Sequence, residues 1–191
     1  MRVIAGKFRS RRLQSLRGMD IRPTSDRLRE TLFNVLCAGN PEALESTTWL
    51  DLFAGTGAVG IEALSRGAAE VTFVEASAKA AELITKNLRS LSVKDGFQVL
   101  KMDVAAGLRK LDAMRKVATF IFLDPPYRMH EAYEHTLTAL ERSGMVQPST
   151  LVIAEHDHKF DPGEQFGSLR RSRKLEQGDA ALSFYKKEAE T

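Results

Sequence analysis

The chain has 191 residues and a mass of 21.2 kDa, and its 43% apolar and 28% charged composition suits one folded core, gives no compositional case for disorder and argues against a two-domain enzyme. No apolar run approaches the roughly 18 residues of a membrane span, and MRVIAGKFRSRR has no apolar stretch of signal-peptide length, so a cytoplasmic protein with no membrane partner is expected. The single Cys37 excludes an internal disulfide and a cysteine-based metal site, and the net charge of +3 hides an asymmetry: residues 1–30 carry nine Lys or Arg against three acids, residues 31–191 carry 19 against 22.

That distribution marks residues 1–40 as a basic N-terminal arm with a capping helix, and 41–191 as a single compact unit. Clustered cations suit a polyanionic partner, because they displace the counterions condensed on phosphates. After the arm, Thr24 or Ser25 supplies an N-cap, and Leu28, Leu32, Val35 and Leu36 predict a helix from about Asp26 to Cys37, stopped by Gly39, Asn40 and Pro41. Short apolar runs then alternate with amphipathic ones: TTWLDLF, AVGIEALSRG, EVTFVE, SAKAAELITKNLRSL, GFQVLKMD, VAAGLRKLDAMRK, ATFIFLD, HEAYEHTLTALERSG and STLVIAEH. Five strands separated by four helices predict a parallel sheet covered on both faces. SLRRSRKL and ALSFYKK follow without a helix between them, joined at Glu176-Gln177-Gly178-Asp179. They predict a terminal antiparallel hairpin and bring the sheet to seven strands.

The first strand ends in Asp51-Leu-Phe-Ala-Gly55-Thr-Gly57-Ala-Val-Gly60 and a helix follows at once, which is the setting that G-x-G-x-x-G requires. The glycines permit a tight turn and close approach of a ligand to a helix N-terminus. Glu75 closes the second strand, 20 residues after Gly55, where a carboxylate accepts from ribose hydroxyls. An adenosine-bearing cofactor is expected, held by Asp51, Phe53, Gly55, Thr56, Gly57 and Glu75. Asp51 favours S-adenosyl-L-methionine over a dinucleotide, since a carboxylate attracts an ammonium and repels a pyrophosphate. Asp103, ending VLKMD, is placed either to meet the adenine amino group or to cap the helix that starts at Val104.

The fourth strand ends in Asp124-Pro125-Pro126-Tyr127. Two successive prolines remove backbone donors and lock φ, giving a rigid turn with free carbonyls beside the switch point where ligands bind. Methyl transfer to an exocyclic amino group of a nucleobase needs such a set. That nitrogen's lone pair is delocalised into the ring, and the Asp124 carboxylate and Pro125 carbonyl would accept its two N–H groups and direct the lone pair. Tyr127 would stack on the extruded base.

Together these motifs resemble the class I S-adenosylmethionine-dependent methyltransferases that methylate amino groups. The N-terminal pattern Arg2-Val-Ile-Ala-Gly6-Lys-Phe-Arg9, then Ile21-Arg22-Pro23-Thr24, Asp26-Arg27, Arg29-Glu30 and Phe33-Asn34, resembles the bacterial RsmD family of 16S rRNA guanine-N2 methyltransferases over essentially the whole chain. The resemblance implies a Rossmann-like fold and a methyl transfer from S-adenosyl-L-methionine, leaving S-adenosylhomocysteine. It also implies a guanine N2 acceptor in 16S rRNA, within the 30S subunit or its assembly intermediate. Asp124, Pro125, Pro126 and Tyr127 map onto the family's catalytic motif, and the Asp51–Gly60 loop and Glu75 onto its cofactor elements. Lys7, Arg9, Arg11 and Arg12 are then expected on RNA phosphates, with Arg22 and Thr24 closing over the cofactor or the target base. The chain departs from the family in carrying Glu176-Gln177-Gly178 where Tyr-Gly usually precedes the last strand.

Adenine-N6 methylation of DNA or RNA uses the same Asp-Pro-Pro-Tyr chemistry and stays open as the alternative, although no target-recognition domain is present. Asp51 and the proline turn disfavour an NAD(P) oxidoreductase, and the full motif set disfavours a non-catalytic assembly factor. His156 and His158 alternate on one strand side without a third ligand and read as a polar strand end, so no metal is expected. Ala80, Leu83, Ile84, Asn87 and Leu91 read as a core-facing stripe and Trp49 as buried. Arg170, Arg171, Arg173 and Lys174 either extend a nucleic-acid surface or decorate an exposed hairpin. A monomer without an obligate protein partner is expected.

Overall fold

The computed structural model describes residues 1–15, 24–126 and 128–188. Its elements are α1 (Asp26–Leu36), β1 (Thr48–Leu52), α2 (Ala58–Ser65), β2 (Glu70–Glu75), α3 (Ala78–Ser90), β3 (Phe97–Lys101), α4 (Val104–Ala113), β4 (Phe120–Leu123), α5 (His130–Arg142), β5 (Leu151–Asp157), β6 (Gln165–Phe166), β7 (Leu169–Gln177) and β8 (Ala180–Lys187), with a single 3₁₀ turn at Gly6–Phe8. The sheet runs β3-β2-β1-β4-β5-β8-β7-β6. The first five strands are parallel and β5–β8, β8–β7 and β7–β6 are antiparallel, so the α/β sheet and its terminal hairpin match expectation. The eighth strand is the two-residue β6. Gly163 at φ +117 precedes it and Gly167 at φ +57 closes its turn, and a strand this short offers no alternating pattern to read.

Alternation along each strand sends side chains to two cores. Trp49, Phe73, Phe120 and Phe122 face α1, α2 and α3, while Leu50, Leu52, Val74, Ile121 and Leu123 face α4 and α5. Trp49 is the centre of an aromatic stack on the first face, with ring centroids 5.5 Å from Phe33 and 5.2 Å from Phe120. The stripe predicted on α3 is buried as expected, through Ala80, Leu83, Ile84, Asn87 and the C-capping Leu91. Ser25 caps α1 by accepting from the Leu28 amide, as its position suggested.

Residues 1–15 lie against this first layer. Arg2 bridges Arg12 in a short antiparallel turn, and Val3 and Leu13 are buried with the α1–α2–α3 core. Glu62 of α2, fully buried, accepts from the amides of Ile4 (2.7 Å) and Ala5 (2.9 Å) and from Arg66 Nε. The Phe8 amide donates to Ser65 Oγ at the end of α2, and Arg11 donates to the Ser90 carbonyl at the end of α3. Lys7, Arg9, Arg11 and Arg12 are all exposed on this folded-back segment.

One glycine sets the spacing between layers. A Cβ at Gly60 would overlap the buried Phe73 ring and lie 2.8 Å from Val71 Cγ1, so α2 packs on β2 by bare backbone. Gly60→Ala is expected to lower stability by about 1–3 kcal/mol in urea unfolding, and Phe73→Leu in the same chain to recover part of that loss. A double variant no more stable than Gly60→Ala alone would show that the ring is not what the methyl group meets.

Candidate cofactor and catalytic site

The chain crosses from β3 on one side of β1 to β4 on the other, which opens a crevice at the C-terminal ends of β1 and β4. The glycine loop leaves β1 there. Phe53 (φ +58), Gly55 (φ +54) and Gly57 (φ +76) all adopt left-handed backbone, and Gly57 is the N-cap of α2. The Ala54 amide donates to the Val74 carbonyl and the Gly57 amide to that of Ala54.

Carboxylates hold the loop from both sides. Glu75 accepts from the Gly55 amide (2.8 Å) through one oxygen and from the Ser77 amide (2.7 Å) through the other, tying loop, β2 and α3 together. Asp51, 2% exposed, accepts from the Gly60 amide in the first turn of α2 (2.9 Å). Thr56 is fixed by its backbone, since its carbonyl accepts from Asn87 Nδ2, whose amide group also exchanges two hydrogen bonds with the backbone of Gln14. Asn87 therefore belongs to the core stripe by position and to the loop by chemistry. Arg29, fully buried, makes a parallel link from α1 by donating to the carbonyls of Ala58 and Arg2.

The Asp124 amide donates to the Leu52 carbonyl (3.4 Å), which fixes the start of the proline turn against the root of the glycine loop. Asp124 is half-buried, Pro125 buried and Pro126 exposed. Tyr133 of α5, buried, donates to the Glu155 carbonyl (2.9 Å) and lies 3.4 Å from that of Pro125, clamping the turn to β5. A carbonyl has two lone pairs, so Pro125 keeps an acceptor for an incoming N–H.

Asp51, Glu75, Asp124 and Glu155 thus converge from the ends of four neighbouring strands. Burial, opposed by the Gly60 hydrogen bond and reinforced by the charges of Glu75 and Glu155, pushes the Asp51 carboxyl up to about 8. Burial, then Glu155 and Asp51, raises Asp124 well above the ordinary carboxylate range. Carboxyls that resist ionising beside one another suit a ligand that brings a cation, such as the sulfonium and ammonium of S-adenosyl-L-methionine, and disfavour a pyrophosphate. Glu155 was missed by sequence reasoning, although an acid in the otherwise apolar LVIAEH run was a signal. Thr24, expected near the site, is brought to it by donating to Glu155 Oε2 (2.7 Å).

Other expected residues fall elsewhere or outside. Asp103 is exposed and caps α4 by accepting from the Ala106 amide (2.9 Å). Arg22 and Tyr127 lie outside the described residues. His156, buried, spends its ring on protein, with Nδ1 2.9 Å from the Asp157 carbonyl and Nε2 2.9 Å from Ser183 Oγ, and burial lowers its pKa. On the terminal hairpin, Arg171 and Lys174 pair with Asp161, and Arg170 with Glu188.

The comparisons with known proteins concern the family and the fold. The model of the family described as conserved hypothetical protein 95 matches residues 1–186. The Escherichia coli protein named ribosomal RNA small subunit methyltransferase D is 31% identical over 190 residues, covering 100% of this chain and 91% of that one. The Bacillus subtilis protein YlbH is 34% identical over 187 residues, covering 98% and 99%. The solved structure of Escherichia coli yhhF superposes with a TM-score of 0.82 at 30% identity, covering 100% and 99%.

The buried Asp51 gives a stability test whose sign follows from linkage. Its carboxyl holds in the folded state a proton that the unfolded chain releases near 3.8, so stability falls as pH rises from about 4 to about 8 and then levels. Asp51→Asn removes that cost and keeps an acceptor for Gly60. The ligand-free variant is expected to melt above the parent at pH 8.5, by on the order of 3 °C per kcal/mol relieved, with the gap closing towards pH 4. An unchanged or lower melting temperature at pH 8.5 would show that Asp51 is not buried at a cost.

Proposed function

The chain belongs to the RsmD family of rRNA methyltransferases, and on that premise we propose that it methylates the exocyclic N2 of one guanine in 16S rRNA, presented by the 30S subunit or an assembly intermediate. The observation that carries the reading is the placement of Asp124 and the Pro125 carbonyl against the root of a glycine loop ringed by carboxylates. S-adenosyl-L-methionine, when bound, supplies an electrophilic methyl group and leaves as S-adenosylhomocysteine.

The protein's own part is to bind and to orient. Glu75 offers its carboxylate to the ribose hydroxyls, Asp51 meets the ammonium, and Phe53, Gly55, Thr56 and Gly57 wrap the ligand with backbone. A cation entering among the four acids lowers the pKa values of Asp51 and Asp124, so the ionised carboxylates are recovered when they are needed. Asp124 and the Pro125 carbonyl then accept the two N–H groups of the target amine and aim its lone pair, and the rigid Pro125-Pro126 turn keeps that geometry without reorganisation. Tyr127 is the proposed stacking ring for the flipped base. A carboxylate accepts more than one hydrogen bond, so Asp103 caps α4 and remains a proposed adenine contact. Lys7, Arg9, Arg11 and Arg12, with Arg22, are the proposed phosphate contacts. The small-subunit target accords with the Escherichia coli relative's name, and the guanine N2 acceptor follows from the sequence resemblance.

Labelled S-adenosyl-L-methionine incubated with 30S particles from a strain lacking the enzyme, with free 16S rRNA and with DNA separates the candidates. N2-methylguanine formed in the particle is the expected product, and label in adenine would replace this reading with the adenine-N6 one. Asp124→Ala is expected to lower kcat at least about 100-fold with S-adenosylhomocysteine affinity held within threefold. S-adenosylhomocysteine affinity should also rise with pH between 6 and 8, and Asp51→Asn should flatten that dependence. Replacing Arg9, Arg11 and Arg12 by Gln should reduce the slope of log affinity against log salt by about 2, and an unaltered slope would remove them from the RNA surface.

A further inference from the structure

Immediately beyond the catalytic turn, Pro126, Arg128, Met129 and His130 are all exposed, with Met129 at 51%. The Met129 amide donates to the Pro126 carbonyl (2.7 Å), which ties the start of α5 to the Asp-Pro-Pro element. The His130 ring lies face to face on Phe160, with centroids 4.0 Å apart and planes inclined by 12°. Phe160 is anchored from below, 5.2 Å from the buried Tyr133 ring and edge-on to the buried His156 at 6.3 Å, and its amide donates to the Asp157 carbonyl. One face of the imidazole is therefore backed by an anchored aromatic ring, and His130 as a residue is exposed. Tyr133, the base of this column, is the same side chain that clamps the Pro125 turn to β5.

An exposed residue whose planar ring lies on an anchored aromatic support, next in the chain to an exposed methionine and an exposed arginine, has the chemistry of a platform for an unpaired base. Stacking supplies affinity without reading sequence, and an exposed arginine beside the ring suits a backbone phosphate. We propose that the His130–Phe160 stack binds a nucleobase flanking the methylated one, holding the strand splayed while the target enters the catalytic turn. The assignment rests on the reading above that the substrate is RNA. It concerns a contact distinct from the target base itself and from the cofactor.

His130→Ala removes the platform's upper ring and leaves Phe160 and the catalytic turn in place, while His130→Phe restores a ring of similar size. In methylation assays with the whole protein and its ribosomal particle, His130→Ala is expected to raise KM for the particle about tenfold. The variant's kcat, S-adenosylhomocysteine affinity and melting temperature should stay within twofold or 2 °C of the parent, and His130→Phe should return KM to within threefold. An unchanged KM in His130→Ala, or a loss that His130→Phe does not recover, overturns the platform. Should the parent chain transfer no label to any RNA, the reading of the reaction fails on its own account. Equilibrium binding of a fluorescent single-stranded oligoribonucleotide then decides the platform separately: about tenfold weaker binding by His130→Ala supports it, and equal binding overturns it.

Discussion

Two carboxylates hold the glycine loop by its own amides, and everything else at the site is arranged around that constraint. Glu75 grips Gly55 and Asp51 grips Gly60, so the loop between β1 and α2 is held by carboxylates of β2 and β1. The loop could have been satisfied by neutral side chains. Ionisable groups instead stand in a buried crevice, where burial together with the charges of Glu75 and Glu155 raises Asp51's cost of ionisation, and burial with Glu155 and Asp51 raises that of Asp124. The ligand-free fold thus carries an electrostatic tension that a cationic ligand relieves, which couples affinity for the ligand to the instability of its absence.

A second set of buried polar groups joins the N-terminal segment to the same loop. Arg29 reaches from the Arg2 carbonyl to that of Ala58, Asn87 from Gln14 to Thr56, and Glu62 holds the amides of Ile4 and Ala5. Arg29, Glu62 and Asn87 are fully buried, and each spends its polar end on backbone groups of the segment or the loop. The segment is correspondingly part of the first core layer, with Val3 and Leu13 packed into it.

The parts legible in the sequence are those governed by short-range rules. The strand–helix rhythm, the glycine loop, Glu75 and the proline turn all follow from periodicity and from backbone geometry confined to a few residues. The docking of residues 1–15 was not legible, because basic charge dominates that stretch and its two buried residues, Val3 and Leu13, are ten positions apart with no period to reveal them. Nor were the roles of Asn87 and Tyr133 visible. Both sit at correct core positions, and only the tertiary fold shows that their polar ends reach Thr56 and the Glu155 carbonyl, 31 and 22 residues away. Asp103 shows the reverse, a local signal that a simple cap accounts for.

The folded-back N-terminal turn also sets a length scale. Its tip is pinned to Ser65 and Ser90, the last residues of α2 and α3, whereas both helices begin at the cofactor crevice. The 13-residue α3 places those two ends on the order of 20 Å apart. A nucleic acid touching the tip cations while its base reacts beside Asp124 must run the height of one flank of the molecule. On the proposed contacts the protein would act as a caliper for a folded surface, and a fragment too short to bridge the jaws would forfeit one of them.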